Sequence, residues 1–380
     1  MRELFTAAIW PFVAASAVAL IFGPIVRRAS IRLDFFDRPD GGLKPHDRPI
    51  PYLGGIAIYL GWLAALILTI LLPDGFSAER FSQTGHAVLW ISAGGTILML
   101  IGLIDDIRHL PPIFRLFMQA AVAGVLLYGG VGRTLLTSLA APLIGDTAMD
   151  QWSAVHASLA FALIAFIIAG ATNSTNLIDG MDGLCAGVTA IACVGFITLA
   201  APLGGCGAMS KAGALLVVTL SAAVIGACLA FLFFNFNPAS MFMGDSGSLL
   251  LGFSIATMIA LFAEHAGWRG LICSTIVFGF PIFDTALAVG RRRLNRKPLF
   301  KGDRSHFYDQ LRDRGRSVRS TVVMCYGLEL CFVLLGVFLA MLPIAVAAII
   351  FVLLPIICAA ACKKLGFLRV EAAVGSTDVN

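Results

Sequence analysis

The sequence predicts an all-α polytopic membrane protein with about eleven transmembrane helices, and three observations carry that prediction. Of 380 residues, 59% are hydrophobic and only 13% charged, with a mean hydropathy of +0.91. A soluble chain of this length carries about a quarter charged residues. Apolar runs of about 20 residues, each long enough to cross a hydrocarbon core, recur along the whole chain. The runs are continuous rather than alternating, which argues against a β-barrel.

Taken in order, the first run, Phe5–Val26, contains "AASAVA" as a cleavable leader does. "RRASIR" follows it directly, however, and cleavage would force that basic loop across the membrane, so a retained helix is expected. Ile50–Leu72 and Ala87–Ile104 follow, the latter ending at an acidic pair. Ile113–Gly132, Ala154–Thr172, Leu184–Leu203, Ala212–Phe234, Ser248–Ala263 and Gly270–Val289 come next. The last two, Val322–Leu342 and Pro343–Cys362, share one apolar block divided at Pro343.

An odd number of spans places the termini on opposite sides. With the N-terminus outside and the C-terminus cytoplasmic, 22 of the 27 Lys and Arg fall on inner segments, as the positive-inside rule requires. The +5 net charge is thus read as a topology signal, and no nucleic-acid partner is expected. Residues 1–362 form one integral membrane domain, and 363–380 a cytoplasmic tail expected to be disordered. The nine cysteines lie mostly within spans, without CxxC spacing, and are read as small apolar core residues. No internal repeat is evident, which counts against a transporter of duplicated halves.

Five polar clusters fall on the predicted inner face: residues 37–55, 103–119, 173–183, 234–248 and 291–315. Two of them contain no Lys or Arg, so their placement there is partly independent of the basic count that set the orientation. Asp105 and Asp106 are adjacent carboxylates at a membrane boundary, where water screens poorly. A cation should sit beside them: Arg108, Arg115 or a metal ion such as Mg²⁺.

"NSTNLIDGMDGLCAG" holds Asn173, Asn176, Asp179 and Asp182. A helix cap needs one such side chain, not four. On a helix each pair, three residues apart, would share a face. Gly180 and Gly183 imply a tight turn or a close backbone approach. "GDSGS" opens the eighth run, and a helix N-terminus favours an anion. Asp245 there would repel a bare phosphate but suits one carrying Mg²⁺. The loop 290–320 is rich in Arg and contains one histidine, His306; Lys44, His46 and Arg48 alternate in the first inner loop, again apt for anions. Hard oxygens for Mg²⁺, cations for phosphate and a membrane for a lipid point to phosphoryl transfer between a nucleotide-activated donor and a lipid phosphate.

These motifs resemble the polyprenyl-phosphate N-acetylhexosamine-1-phosphate transferases, from about Asp37 to Gly315. "LIDDIRHLPPIFRLFMQ" is similar to the family's acidic-pair motif, "NSTNLIDGMDGLCAG" to its N-x-x-N-[AL]-x-D-G-x-D-G-L element, and "FNFNPASMFMGDSGSLLLG" to its F-N-x-x-P-A-x-x-F-M-G-D-x-G-S signature. The resemblance implies a helical bundle in the cell's inner (plasma) membrane, with its site facing the cytoplasm. It implies transfer of sugar-1-phosphate from a UDP-sugar to polyprenyl phosphate, releasing UMP, with Mg²⁺ (Mn²⁺ as an alternative) as cofactor. Such enzymes start peptidoglycan, O-antigen, common-antigen and teichoic-acid synthesis. A homodimer is compatible with the resemblance.

By the same resemblance, Asp245 is the principal metal ligand, with Asn176 assisting. Asp105 is the base or the partner of the acceptor phosphate, and Asp106 beside it helps hold metal and phosphate. Phe242 stacks on uracil; Asp179, Gly180 and Asp182 line the nucleoside pocket. Asn173, Asn235, Lys44, His46, Arg115, Arg304 and the catalytic candidate His306 complete the polar cavity. Direct attack by the lipid phosphate on the donor's β-phosphorus is favoured over an aspartyl-phosphate intermediate.

Two departures from the pattern matter. The family's histidine-rich H-[LI]-H-H segment reads "HFYD" here, and "RPIPYLGG" resembles the teichoic-acid and common-antigen initiators rather than the peptidoglycan enzyme. UDP-GlcNAc is therefore the expected donor, with other UDP-N-acetyl amino sugars open. The rival of another class, a secondary transporter of anionic solutes, predicts ionisable residues at mid-membrane. The spans are almost free of them, Glu329 being the main exception.

Overall fold

The computed structural model describes residues 2–39, 48–71, 85–144, 154–205, 207–296 and 306–368. It is nearly all helix. In chain order the helices are α1 (Arg2–Arg32), α2 (Gly54–Leu71), α3 (His86–Arg108), α4 (Pro112–Tyr128), α5 (Leu135–Ile144), α6 (Ala154–Leu177) and α7 (Leu184–Gly205). Then come α8 (Lys211–Asn235), α9 (Gly244–Val277), α10 (Gly279–Leu294), α11 (Phe307–Asp313), α12 (Val318–Leu339) and α13 (Ile344–Lys364). Between α1 and α2, β1 (Phe36–Asp37) pairs antiparallel with β2 (Ile50–Pro51), Phe36 opposite Pro51.

Among the described residues, nine helices are long and apolar enough to cross a membrane, and the apolar α4 is shorter. The chain is a polytopic membrane protein. The predicted eighth and ninth runs are separated by a sharp break in the chain. Both contribute to α9, where Gly267 at φ 54° and ψ −140° turns the chain sharply. The rest of the ninth becomes α10, sixteen residues long with Arg291, Arg292 and Arg293 in its last turn. The short helices α5 and α11 lie in loops for which the sequence signalled no helix.

Continuous apolar runs suit this packing because the inner helices are surrounded by protein and the outer ones by lipid. The apolar stretch of α9 is 100% buried and that of α8 89%, whereas that of α13 is 6% buried. Large side chains such as Phe166, Phe233 and Ile113 are exposed on the periphery, as a hydrocarbon solvent allows. Small residues set close helix contacts: a Cβ on Gly61 of α2 would lie 2.6 Å from the Ala15 carbonyl of α1.

Glu329, the acid that the sequence leaves unexplained, is fully buried in α12. Its Oε2 accepts the Phe280 N–H at 3.0 Å. That N–H lies in the first turn of α10 and lacks a helical partner, and bare backbone is costly inside a membrane. The carboxyl closes the break at Phe278. Glu264 does similar work far along α9 from Asp245: it accepts from Gly132 N–H at 2.7 Å and from Thr134 N–H at 3.0 Å.

Candidate active site

The site is built where α3 and α6 end and α4 and α9 begin. Local chemistry shapes the first turn. His109 adopts φ 50°, and its N–H bonds the Asp105 carbonyl at 2.9 Å. Asp105 Oδ1 accepts the Leu110 N–H at 2.6 Å, and Pro112 opens α4 with a preset φ. One Asp105 oxygen thus secures the turn and leaves Oδ2 for the site.

Arg115, one turn into α4, is the hub. Its Nη1 lies 2.9 Å from Asp105 Oδ2 and 3.5 Å from Asp245 Oδ2. Its Nη2 donates to Asn176 Oδ1 at 3.0 Å. Asn176 Nδ2 in turn donates to Asp245 Oδ1 at 2.6 Å and to Ser248 Oγ at 3.0 Å. Four helices are therefore joined through one guanidinium, the cation that the acidic pair required. One turn deeper, Asn173 Nδ2 donates to the buried Gln119 Oε1 at 3.2 Å. Arg115 and Gln119 are four apart on α4, Asn173 and Asn176 three apart on α6, so the two helices face each other in two polar layers.

Asp106, beside Asp105, turns to the start of α9. Its Oδ1 accepts the Asp245 N–H at 2.7 Å and its Oδ2 the Ser246 N–H at 3.2 Å. The anion seated at the N-terminus of α9 is a carboxylate of the chain itself, not a substrate phosphate. With both oxygens on backbone N–H groups, Asp106 caps α9. Gly244 makes this possible: its φ is +72°, and a Cβ there would lie 2.7 Å from Asp106 Oδ2.

The two Asn/Asp loops hold each other. Asp182 Oδ2 accepts from Asn237 Nδ2 at 2.8 Å and the Ala239 N–H at 2.9 Å. Asn235, buried, accepts the Gly183 N–H at 2.9 Å and donates to the Met241 carbonyl at 3.0 Å. Asp182 and Asn235 thus clasp the two loops together. The expected pairing of Asp179 with Asp182 on one face also fails, because residues 178–183 form a turn. Asp179 faces the cluster instead. Burial, then the charges of Asp245 and Asp106, hold its carboxyl well above the usual range. Phe242, half-buried, donates its N–H to the Pro51 carbonyl and accepts the Gly54 N–H, so the strand before α2 fixes the ring expected to stack on uracil.

His306 pairs with an acid of α10. It is buried, with Nδ1 2.6 Å from Asp284 Oδ2 on α10, and Asp284 Oδ1 accepts the Phe307 N–H at 2.6 Å. The sequence-predicted catalytic histidine is an anchor for α11. Its buried partner Asp284 was passed over because it is a single acid inside an apolar run. Gln119, Ser248 and Tyr52 were passed over as well. Burial and then the charges of Asp106, Asp245 and Asp179 raise the Tyr52 phenol, which puts that phenol at the same cluster; "RPIPYLGG" was its only signal. Lys44, His46 and Arg304 lie outside the described residues.

The donor set is apt for a hard divalent cation. Asp105 Oδ2, Asp245 Oδ2 and Asn176 Oδ1 are oxygens that converge on one positive charge, and Asp105 Oδ2, though ion-paired, is buried without a hydrogen bond. No three His, Cys, Asp or Glu side chains among the described residues close on a single point, since Arg115 fills the point of convergence.

Hard oxygens and a guanidinium gathered at one end of an apolar bundle define an integral membrane enzyme that handles an anionic substrate. Residues 88–263 match the family described as glycosyl transferase family 4. The chain is 32% identical over 323 residues to a probable undecaprenyl-phosphate N-acetylglucosaminyl 1-phosphate transferase of Bacillus subtilis (strain 168), covering 84% of this chain and 82% of that one. It is 35% identical over 300 residues to the decaprenyl-phosphate N-acetylglucosaminephosphotransferase of Mycolicibacterium smegmatis, covering 74% and 70%. It is also 32% identical over 348 residues to a phospho-N-acetylmuramoyl-pentapeptide-transferase of Heliobacterium modesticaldum, covering 88% and 98%. The chain belongs to glycosyl transferase family 4.

Proposed function

We propose that this protein transfers N-acetylglucosamine-1-phosphate from UDP-GlcNAc to polyprenyl phosphate in the membrane, releasing UMP and beginning a cell-envelope glycan. The observation that carries this reading is the convergence of Asp105, Asn176 and Asp245 on Arg115, inside the stretch that matches the family. An acceptor-phosphate oxygen forms the new bond to the donor's β-phosphorus, and the bridge to the α-phosphate breaks, leaving with UMP. Arg115 orients the anionic groups and neutralises their charge. Asp105, pinned by the Leu110 N–H, presents Oδ2 beside Arg115 as the base or partner of the acceptor phosphate. Direct transfer is favoured over an aspartyl-phosphate intermediate.

Asp245 and Asn176 would hold Mg²⁺, which when bound supplies positive charge to the donor's phosphates. The positive-inside count favours an outside N-terminus and a cytoplasmic site in the plasma membrane. The test is purified protein with polyprenyl phosphate and a panel of UDP-sugars, following UMP release with and without Mg²⁺. Mg²⁺-dependent release with UDP-GlcNAc, and none with UDP-MurNAc-pentapeptide, is expected. Absence of UMP with every donor would overturn the reading.

A further inference from the structure

Tyr308 stands where the family's histidine-rich segment is replaced. It is 4% exposed, and its hydroxyl donates to the Leu177 carbonyl at 3.0 Å. Leu177 ends α6, the helix that carries Asn173 and Asn176, and Asp179 follows two residues on. The same hydroxyl fills the space over Gly180: a Cβ there would overlap it, and would stand 3.1 Å from the ring carbon that bears it. Gly180 is not left-handed, so the obstacle to a side chain at this position is the phenol, not the backbone.

The tyrosine is itself held. Its ring stacks on His306 at 5.4 Å between centroids and 11° between planes, and His306 is tied to the fully buried Asp284. Burial, then the charges of Asp309, Asp284 and Asp179, keep the phenol protonated by raising it well above its usual value. It is a permanent donor.

We propose that Tyr308 is a positioning residue for the donor: it fixes the Leu177–Gly180 turn, and through it Asp179, without touching the reacting atoms. Asp284 and His306 hold Tyr308 in place. This rests on the reading of Asp179 and Gly180 as the nucleoside side of the proposed reaction. In this chain the tyrosine at 308 fills the room that the glycine at 180 leaves.

Four proteins test it: wild type, Tyr308→Phe, Gly180→Ala and the double variant. UMP release is measured against UDP-GlcNAc at saturating polyprenyl phosphate, and the reverse. Loss of one hydrogen bond in Tyr308→Phe should raise the donor KM about 3- to 10-fold, with the acceptor KM and kcat changed less than about twofold. Gly180→Ala should be the worst of the four. In the double variant its added cost should shrink, because the overlapping oxygen is gone. A Tyr308→Phe enzyme with the wild-type donor KM, equal changes in both KM values and kcat, or additive effects would each overturn the proposal. Should the wild type release no UMP, the proposed reaction falls on its own. Melting temperatures then decide the contact: non-additive shifts support it and additive shifts refute it.

Discussion

Asp106 caps the helix that presents Asp245: Asp106 Oδ1 accepts the Asp245 N–H at 2.7 Å. Two carboxylates that the sequence places in one catalytic cluster are thus joined by backbone, with one supporting the other. Asp106→Ala should lower both melting temperature and turnover, since losing a cap costs about 0.5–2 kcal/mol and frees the turn that aims Asp245. Asp106→Asn keeps a side-chain acceptor and should recover most of the stability and part of the turnover. Equal inactivity of both variants at unchanged melting temperature would instead make Asp106 a direct participant.

Asp245→Ala and Asp105→Asn should nearly abolish UMP release while the proteins remain folded in detergent. Chelation of divalent ions should do the same to the wild type, and added Mg²⁺ should restore it. Wild-type rates in either variant would remove these assignments.

Arg115 occupies the point on which Asp105, Asp245 and Asn176 converge, so it competes there with the proposed metal. Arg115→Met should therefore bind Mg²⁺ more tightly, by about tenfold for the loss of a charged hydrogen-bonding competitor. It should also turn over more slowly, because the cation that steadies the phosphates is gone. Titration with Mn²⁺, followed by its magnetic resonance signal, reads the first effect apart from the second.

Asp182 staples the loop before α9 through Asn237 and Ala239. Asp182→Ala should destabilise the fold by about 1–3 kcal/mol, the cost of buried donors losing their acceptor. A melting temperature equal to that of the wild type would return Asp182 to the nucleoside pocket.

His306 gives a pH signature. Burial works against its charged ring, but the hydrogen bond and charge of Asp284 outweigh it and raise the ring above the ordinary 6.5. A raised folded value stabilises the charged form. That stability is therefore fully present below about pH 6.5 and is lost as pH climbs through the folded value. The melting-temperature gap between wild type and His306→Asn should be wider at pH 6 than at pH 9. A gap that does not change with pH would mean the pair carries no charge.

Much of this molecule could be read from its residues, because hydropathy, basic bias and the spacing of Asn176, Asp105 and Asp245 are local signals. What could not be read depends on partners distant in sequence. Nothing near Asp106 says that its carboxylate meets a helix start 139 residues away. Asp182 and Asn235 look like ligands from sequence because a clasp and a binding group use the same atoms. Asp284 hides in an apolar run, and its role exists only once His306 folds over it. The break at Phe278 is likewise closed from far along the chain, by Glu329 on α12.

The start of α9 is walled by bare backbone. A Cβ on Gly55 would overlap the Gly247 amide, and one on Gly102 would overlap the Asp245 carbonyl. Substitution cannot graft a new side chain onto either wall without moving the carboxylate it supports. Efforts to retune the enzyme toward another sugar have to work elsewhere, while the glycine-walled hearth passes unchanged from one variant to the next.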